Sequence, residues 1–144
     1  MFVLIAADAR AESIAVVLRS YGVLGTWAMN CAERPSELNW HGTYYVLPDG
    51  RARLGLDRGG DQPPLEDAVD SAERLTTTTL RIRLRNDHPN YGTSAVAHID
   101  IVAEVSRGRF RTLSSVTSSG VQYIKEGRLT ESGTPSPTMR RCGN

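Results

Sequence analysis

The length, composition and charge of this chain narrow the class of protein it belongs to. Its 144 residues are 40% hydrophobic, with 17 Lys and Arg side chains against 16 Asp and Glu, which predicts one globular domain with an ordinary core. The net charge of +1 gives no general attraction to nucleic acid, and no apolar run approaches the roughly eighteen residues of a transmembrane helix.

The first residues have the composition of a processed leader. A short apolar run, Phe2 to Ala7, precedes Asp8 and Ala9-Arg10-Ala11, an A-x-A sequence of the kind found at signal-peptide cleavage sites. We therefore expect residues 1–11 to be the end of a truncated signal peptide and residues 12–144 to form a single domain. This predicts an exported protein, periplasmic or secreted. The alternative is an ordinary N-terminal strand.

One helix is predicted next, over Glu12 to Leu24. Its apolar side chains recur at the spacing of a helix with one buried face, namely Ile14, Val17, Leu18 and Tyr21. Gly22 is a suitable place for this helix to stop.

The residues after the helix alternate with the period of strands. Trp27 and Met29 begin the first strand. Gly42 to Leu47 and Arg51 to Leu56 flank Pro48-Asp49-Gly50, a sequence typical of a hairpin turn. After the loop Asp57 to Pro64, the segment Leu65 to Leu75 is predicted as a strand, with a short helix as the alternative.

Strands are also predicted throughout the second half of the chain. Leu80 to Arg85 alternates between aliphatic residues and arginines, which predicts a strand with one buried face. A loop over Asn86 to Thr93 separates it from a strand that begins at Ala97 and ends at Val105. Further strands are predicted at Arg109 to Thr117, Val121 to Arg128 and Thr138 to Cys142.

The fold class expected from this pattern is mainly β. Eight or nine short strands joined by tight turns fit an antiparallel up-and-down barrel with one N-terminal helix, or a sandwich. Closure into a barrel removes the exposed edge strands that promote aggregation. We therefore predict that residues 12–144 form a single β-barrel domain.

The two cysteines, Cys31 and Cys142, lie near opposite ends of this domain. Neither has a close Cys or His neighbour of the kind that metal sites use, so a disulfide is predicted, with two free buried thiols as the alternative. In the chain-entropy account, a bridge across so long a loop stabilises the fold by about 4 to 5 kcal/mol. It requires α-carbons about 4.4 to 6.8 Å apart.

Gly25-Thr26-Trp27 follows the predicted helix and begins the first strand, and this G-x-W resembles the one that lipocalins and other calycin barrels carry at that place. With Asn30-Cys31 and the final Arg-Arg-Cys, the chain is similar to small secreted lipocalin-like proteins of Gram-negative bacteria. The resemblance implies that Trp27 plugs the closed end of the barrel and that Arg140 or Arg141 packs over its ring. Such a cation–π contact contributes about 0.5 to 2 kcal/mol.

No residue pattern predicts catalysis or a cofactor. His41, His88 and His98 are not spaced to form a metal site, and no serine lies in a G-x-S-x-G sequence. We therefore expect no catalytic residue, no metal ligand and no cofactor. An enzyme would require His41 or His98 to be buried beside a carboxylate.

Three arginines, Arg81, Arg83 and Arg85, are predicted to form a row on one strand face. If the strands were neighbours, Arg109 and Arg111 would extend that row into a basic patch for an acidic partner or a phosphorylated headgroup. The simpler interpretation is the solvated outer face of a barrel strand.

The function predicted from these features is the binding of a small apolar or amphipathic molecule inside the barrel. The aromatic residues suited to a ligand site are Trp40, Tyr44, Tyr45 and Tyr123, with Tyr91 as a further candidate. The alternative is a periplasmic protein-interaction module resembling a protease inhibitor. Its contact loops would be Asp57 to Pro64 and Asn86 to Thr93.

Overall fold

The computed structural model describes residues 12–94 and 97–143, so the expected signal-peptide segment, residues 1–11, lies outside the described residues. The described chain forms a 10-stranded antiparallel sheet with one α-helix and one 3₁₀ helix. In chain order the elements are α1 (Ile14–Ser20), β1 (Gly25–Ala28), β2 (His41–Val46), β3 (Ala52–Asp57), β4 (Leu65–Arg74), β5 (Thr79–Arg85), the 3₁₀ helix (Pro89–Ser94), β6 (Ile99–Ser106), β7 (Arg109–Thr117), β8 (Gln122–Lys125), β9 (Arg128–Leu129) and β10 (Thr138–Cys142).

The sheet closes into a barrel of eight strands. Strands β1 to β7 pair in sequence order, and β10 completes the ring by pairing with both β1 and β7. The remaining two strands, β8 and β9, extend from β7 as an additional hairpin. The predicted fold class, a mainly β up-and-down barrel with one N-terminal helix, is confirmed.

The inner face of the barrel follows the alternation in the sequence. In β5, Leu80, Ile82 and Leu84 are buried, whereas the intervening arginines are exposed. The segment for which a strand and a helix were both considered is a strand, β4, with an irregularity between Val69 and Ser71. Because an antiparallel barrel has one inner face, each strand contributes every second side chain to the core.

Helix α1 is shorter than the predicted span of residues 12–24. Ser13 caps its N-terminus, with its hydroxyl accepting from the backbone N–H of Val16 at 3.2 Å. Gly22, with φ of +71°, has the left-handed conformation that commonly ends a helix. Val17 and Leu18 are buried against the barrel core.

Three other predictions of local structure need correction. The loop predicted over 86–93 contains the 3₁₀ helix, and β6 begins at Ile99 rather than Ala97. The strand predicted over 121–128 is divided between β8 and β9, because Glu126 and Gly127 both adopt positive φ. A left-handed pair of this kind forms a tight turn, which an extended strand cannot contain.

The predicted disulfide is present between Cys31 and Cys142, with α-carbons 5.3 Å apart. Cys142 is the last residue of β10, whereas Cys31 lies three residues beyond the end of β1. The bridge therefore joins the closing strand of the barrel to the connection between β1 and β2.

The connections divide the barrel into two unlike ends. The helix end carries α1 and the short turns after β2, β4 and β6, and Tyr21 of the helix region donates its hydroxyl to Thr76 O in the β4–β5 turn. The loop end carries the longer connections, 29–40 and 58–64, the segment after β5, and the chain from β8 to β10. A ligand site at the loop end would therefore be surrounded by the longer connections of the chain.

Candidate functional site

An apolar cavity lies inside the barrel. Its volume is about 270 Å³. It is lined by Trp27, Trp40, Gly42, Tyr44, Leu54, Leu56, Leu84, Ile101, Phe110, Thr112, Ile124, Ser136, Pro137 and Met139. Most of these residues are inward-facing members of barrel strands, whereas Ile124, Ser136 and Pro137 belong to the segment that connects β7 to β10.

Gly42 accounts for part of the open space. It lies on β2 opposite Leu56 of β3, and a Cβ at this position would contact Leu54 Cδ1 at 3.4 Å and Leu56 Cδ2 at 3.5 Å. The absence of a side chain therefore leaves room beside these two leucines. The next inward residue of β2, Tyr44, is 6% exposed, and burial raises the pKa of its hydroxyl above its usual range.

Three aromatic side chains form one wall of the cavity. The Phe110 ring lies 5.6 Å from the Trp27 ring and 6.0 Å from the Tyr44 ring, measured between centroids. Trp27 donates its indole N–H to Val23 O at 2.8 Å, in the connection between α1 and β1. Aromatic contacts at these distances stabilise a core and restrict ring orientation.

Arg141 is the basic residue over Trp27. Its guanidinium carbon lies 5.0 Å from the Trp27 ring centroid, and its N–H groups donate to Leu24 O at 2.7 Å and to Gly22 O. Arg140, the other arginine considered for this role, is exposed, because neighbouring strand residues point to opposite faces. Trp27 and Arg141 together cover the helix end of the barrel interior.

The rim of the cavity at the loop end is apolar and exposed. Trp40 is 38% exposed, Met29 44% and Leu38 84%. A second, shallower depression of about 200 Å³ lies beside the cavity and shares Trp40, Pro137 and Met139 with it. The apolar surface therefore continues from the interior over the rim.

The structure separates the four aromatic residues predicted to bind a ligand. Trp40 and Tyr44 line the cavity, whereas Tyr45 and Tyr123 do not. Tyr45 follows Tyr44 on β2 and points outward, where its hydroxyl donates to Glu66. Tyr123 is 54% exposed, because β8 lies outside the barrel ring.

Several cavity residues were not singled out by the sequence reasoning. Leu54, Leu56 and Phe110 belong to strands whose alternation is visible, so their inward position follows once the register is known. Ile124 and Pro137 reach the cavity from the segment that connects β7 to β10. The sequence predicts a strand over 121–128, but no local pattern places these two residues at the cavity.

The interior also holds a carboxylate, Asp67, outside the cavity lining. Asp67 belongs to β4, lies opposite Leu54 of β3 and is 3% exposed. Its carboxylate accepts hydrogen bonds from Asn86 Nδ2 at 2.8 Å and from the Tyr91 hydroxyl. Burial raises its pKa above the ordinary value, and these two hydrogen bonds oppose that shift. In the sequence, Asp67 stands between Leu65 and Val69 at the two-residue spacing of inward side chains, and this spacing could have predicted that Asp67 faces the interior.

The three histidines lie at two places on the outside of the barrel. His98 Nε2 is 3.2 Å from Asp70 Oδ2, with its side chain 38% exposed, and His41 Nε2 lies 3.1 Å from Glu33 O. His41 and His88 both border a groove on the outer face of β2 and β3. Among residues 12–94 and 97–143, no three His, Cys, Asp or Glu side chains come together in the way a metal site requires.

The arginines of β5 do not form a basic patch. Arg81 pairs with Glu73 at 3.1 Å, Arg83 with Asp100 at 2.7 Å and Arg85 with Asp70 at 3.0 Å. Arg109 and Arg111 of β7 do not extend this row of arginines, because β6 lies between β5 and β7. This row is therefore a solvated outer strand face with its charges balanced.

The fold and the cavity define the chain as a closed antiparallel β-barrel protein with an apolar cavity, consistent with the lipocalin-like fold that the G-x-W resemblance implies. No family model, no curated protein and no solved structure matches the sequence. Within the described part of the chain, no helix has both the length and the hydrophobicity needed to span a membrane.

Proposed function

We propose that this protein is an exported, lipocalin-like barrel that binds a small apolar or amphipathic molecule in its cavity. The observation that carries the proposal is the apolar cavity beside Trp40 and Tyr44, in a barrel whose helix end is covered by α1, Trp27 and Arg141. A concave apolar pocket with few polar groups is the usual form of a small-molecule site.

The size and lining of the cavity limit the ligand. Its 270 Å³ exceeds the roughly 150 Å³ of a cavity that holds benzene and lies just below the about 300 to 1,000 Å³ of sites for drug-sized molecules. The Ser136 hydroxyl already donates to Thr112 O at 2.6 Å. The ligand is therefore a compact molecule recognised mainly by apolar contact, with any polar group directed toward the rim.

Export is supported by the disulfide between Cys31 and Cys142, since such bridges persist mainly in oxidising compartments. Mass spectrometry of the intact protein purified from its native periplasm or medium tests this part of the proposal. We expect a mass that corresponds to oxidised cysteines and to loss of a leader. A reduced protein recovered from the cytoplasm would contradict it.

The cavity is tested by filling it from a single position. Gly42→Val adds a side chain beside Leu54 and Leu56 inside the barrel, at a residue outside the left-handed region. Binding of a neutral fluorescent probe, N-phenyl-1-naphthylamine, is expected to weaken by about tenfold or more, which corresponds to about 1.4 kcal/mol of lost contact. A titration followed by probe fluorescence measures this change.

The matched control is Gly55→Val on the adjacent strand. Gly55 lies opposite Thr43, and a Cβ there would meet Tyr45 Cε1 at 3.8 Å on the outer face. Both variants replace a strand glycine by a residue that favours strands, so both are expected to fold. Equal probe affinity in the two variants would place binding outside the cavity and overturn the proposal.

A second candidate function is binding of a protein through the two loops at 57–64 and 86–93. The observation that favours it is a hydrogen bond between them, from Asn90 Nδ2 to Pro64 O at 2.8 Å, which holds both loops in one surface. Stoichiometric inhibition of a serine protease in a panel assay, weakened in Asn90→Ala, would support it. Absence of inhibition across the panel would count against a protease-inhibitor role.

A further inference from the structure

A polar depression lies on the outer face of the barrel, where β6, β7 and β10 run side by side. Its volume is about 560 Å³, and it is lined by Glu104, Ser106, Arg107, Arg109, Arg111 and Thr138. Arg109 and Arg111 belong to the strand whose inward Phe110 lines the apolar cavity, so the two sites lie on opposite faces of β7. The depression therefore has no part in the function proposed above.

The charge around this depression is strongly positive. Three arginines line it, and a fourth, Arg140, lies directly opposite Arg109 in the ladder between β7 and β10. Glu104, the register partner of Arg111 on β6, is the acidic residue in the lining. Like charges directly opposite each other on neighbouring strands are destabilising, so a bound anion would relieve this arrangement.

The arginines here differ from those of β5 in how their charge is balanced. Each β5 arginine pairs with an Asp or Glu, whereas Arg107, Arg109 and Arg140 form no ion pair with any carboxylate of residues 12–94 and 97–143. Arg111 is held in place, because its guanidinium donates to Gly127 O at 2.6 Å and to Ser136 Oγ at 3.2 Å. The positive charge of this face is thus available to a ligand.

We propose that this depression binds a phosphoryl group carried by a soluble small molecule. Guanidinium groups recognise phosphate oxygens through paired, charge-assisted hydrogen bonds, and the Ser106 and Thr138 hydroxyls add neutral donors. The depression is concave and polar, which suits a compact anion bound against the outer face of three strands.

The test is a calorimetric titration with inorganic pyrophosphate at fixed ionic strength, which keeps general screening constant. Saturable binding is expected for the wild-type protein, weakened by about tenfold or more in Arg109→Gln/Arg140→Gln, because one lining guanidinium and the positive charge directly opposite it are lost. The control, Arg81→Gln/Arg83→Gln, removes the same charge from the paired β5 row. Its affinity for pyrophosphate is expected to stay within about twofold of the wild-type value.

Folding of the variants is checked independently of binding. Removing the opposed pair Arg109 and Arg140 is expected to leave the melting temperature at low salt unchanged or raised, since a like-charge contact is lost. Binding of N-phenyl-1-naphthylamine in the cavity is expected to be unchanged in the same variant. This readout separates failure of the anion site from failure of the cavity proposal.

Three results would overturn the proposal. One is the absence of saturable pyrophosphate binding to the wild-type protein, and another is an equal loss of affinity in the two double variants, which would indicate net charge alone. The third is binding to vesicles that contain phosphatidic acid without any response to pyrophosphate. That outcome would indicate a lipid-headgroup surface instead of a site for a soluble ligand.

Discussion

At the scale of single residues, Asp67 and Asp100 show how position on the barrel sets the pKa of a carboxylate. Asp67 faces inward, and burial raises its pKa above 3.8. Asp100 faces outward, and its hydrogen bond from Arg83 at 2.7 Å lowers its pKa. The two residues therefore link stability to pH with opposite signs.

For Asp67, the folded protein holds its proton more tightly than the unfolded chain does. The free energy of unfolding therefore falls as pH rises from the ordinary pKa to the raised one, by about 1.4 kcal/mol for each pKa unit of the shift. Asp67→Asn keeps an acceptor for Asn86 and Tyr91 but removes this charge. We expect its stability relative to wild type to increase across that window, as measured by urea unfolding at several pH values.

Asp100→Asn is the opposing control. The pKa of Asp100 is lower in the folded protein than in the unfolded chain. The stability that the Asp100 carboxylate contributes is therefore present above the unfolded pKa and is lost as pH falls through the folded pKa. The ion pair of Asp100 with Arg83 is largely exposed, so Asp100→Asn is expected to lower the free energy of unfolding at neutral pH by about 1 kcal/mol or less. If the unfolding free energies of the two variants changed with pH in parallel, the interpretation that the buried Asp67 carboxylate destabilises the fold when it is charged would be contradicted.

At the scale of elements, two connections at the loop end are packed against each other at Gly59. A Cβ on Gly59 would lie 1.9 Å from Pro35 O, so the 58–64 connection approaches the backbone of the 29–40 connection as closely as only glycine permits. The 29–40 connection carries the apolar rim residues Leu38 and Trp40. Packing at Gly59 therefore helps to position the rim of the cavity.

Gly59→Ala is expected to displace the 29–40 connection, and Gly60→Ala provides a matched control. Both residues have positive φ, at +75° and +59°, so both alanines incur about 1 to 2 kcal/mol of backbone strain. A Cβ on Gly60 meets nothing within 4 Å. Gly59→Ala should therefore lose a further 1 to 3 kcal/mol or so from overpacking, as measured by urea unfolding.

The same pair of variants reports on the rim. Displacement of the 29–40 connection is expected to shift the fluorescence emission of Trp40 in Gly59→Ala and to leave it unchanged in Gly60→Ala. Equal stability and equal emission in the two variants would show that the contact with Pro35 relaxes without consequence.

At the scale of the whole molecule, the sequence predicts the strands better than it predicts the site. The alternation of Leu80 to Arg85 and the turn at Asp49-Gly50 are local signals, and the structure contains the strand and the hairpin that they predict. Gly25-Thr26-Trp27 begins a strand, as predicted, and Cys142 is bonded to Cys31. Closure of the ring through β10, which pairs with β1, could therefore also be predicted from the sequence.

The cavity could not be predicted in the same way, because its volume depends on what side chains leave unfilled. Gly42 contributes space only because Leu54 and Leu56 lie beside it, and that contact depends on the pairing register. Tyr44 and Tyr45 are equivalent as aromatic residues in the sequence, and a one-residue difference in register decides which of them faces inward. The sequence predicts a strand over 121–128, but nothing in it indicates that this segment lies outside the ring and brings Ile124 to the cavity.

The disulfide acts on the closure of the barrel as a whole. It fixes β10, the strand that joins β1 to β7, to the chain that follows β1, and it closes a loop with a sequence separation of 111. Such a loop corresponds to about 4 to 5 kcal/mol in the chain-entropy account, within the about 2 to 5 kcal/mol usually lost on removal. Cys31→Ser/Cys142→Ser is therefore expected to lose about 2 to 5 kcal/mol of unfolding free energy.

The fold itself should survive this change, because β10 keeps its ladders to β1 and β7 and Arg141 keeps its contacts with Trp27 and Leu24. Urea unfolding with and without dithiothreitol measures the effect. The reductant should lower the wild-type midpoint to that of the double variant and leave the variant unchanged. If wild type and variant unfolded at the same midpoint without reductant, the bridge would not contribute to barrel closure.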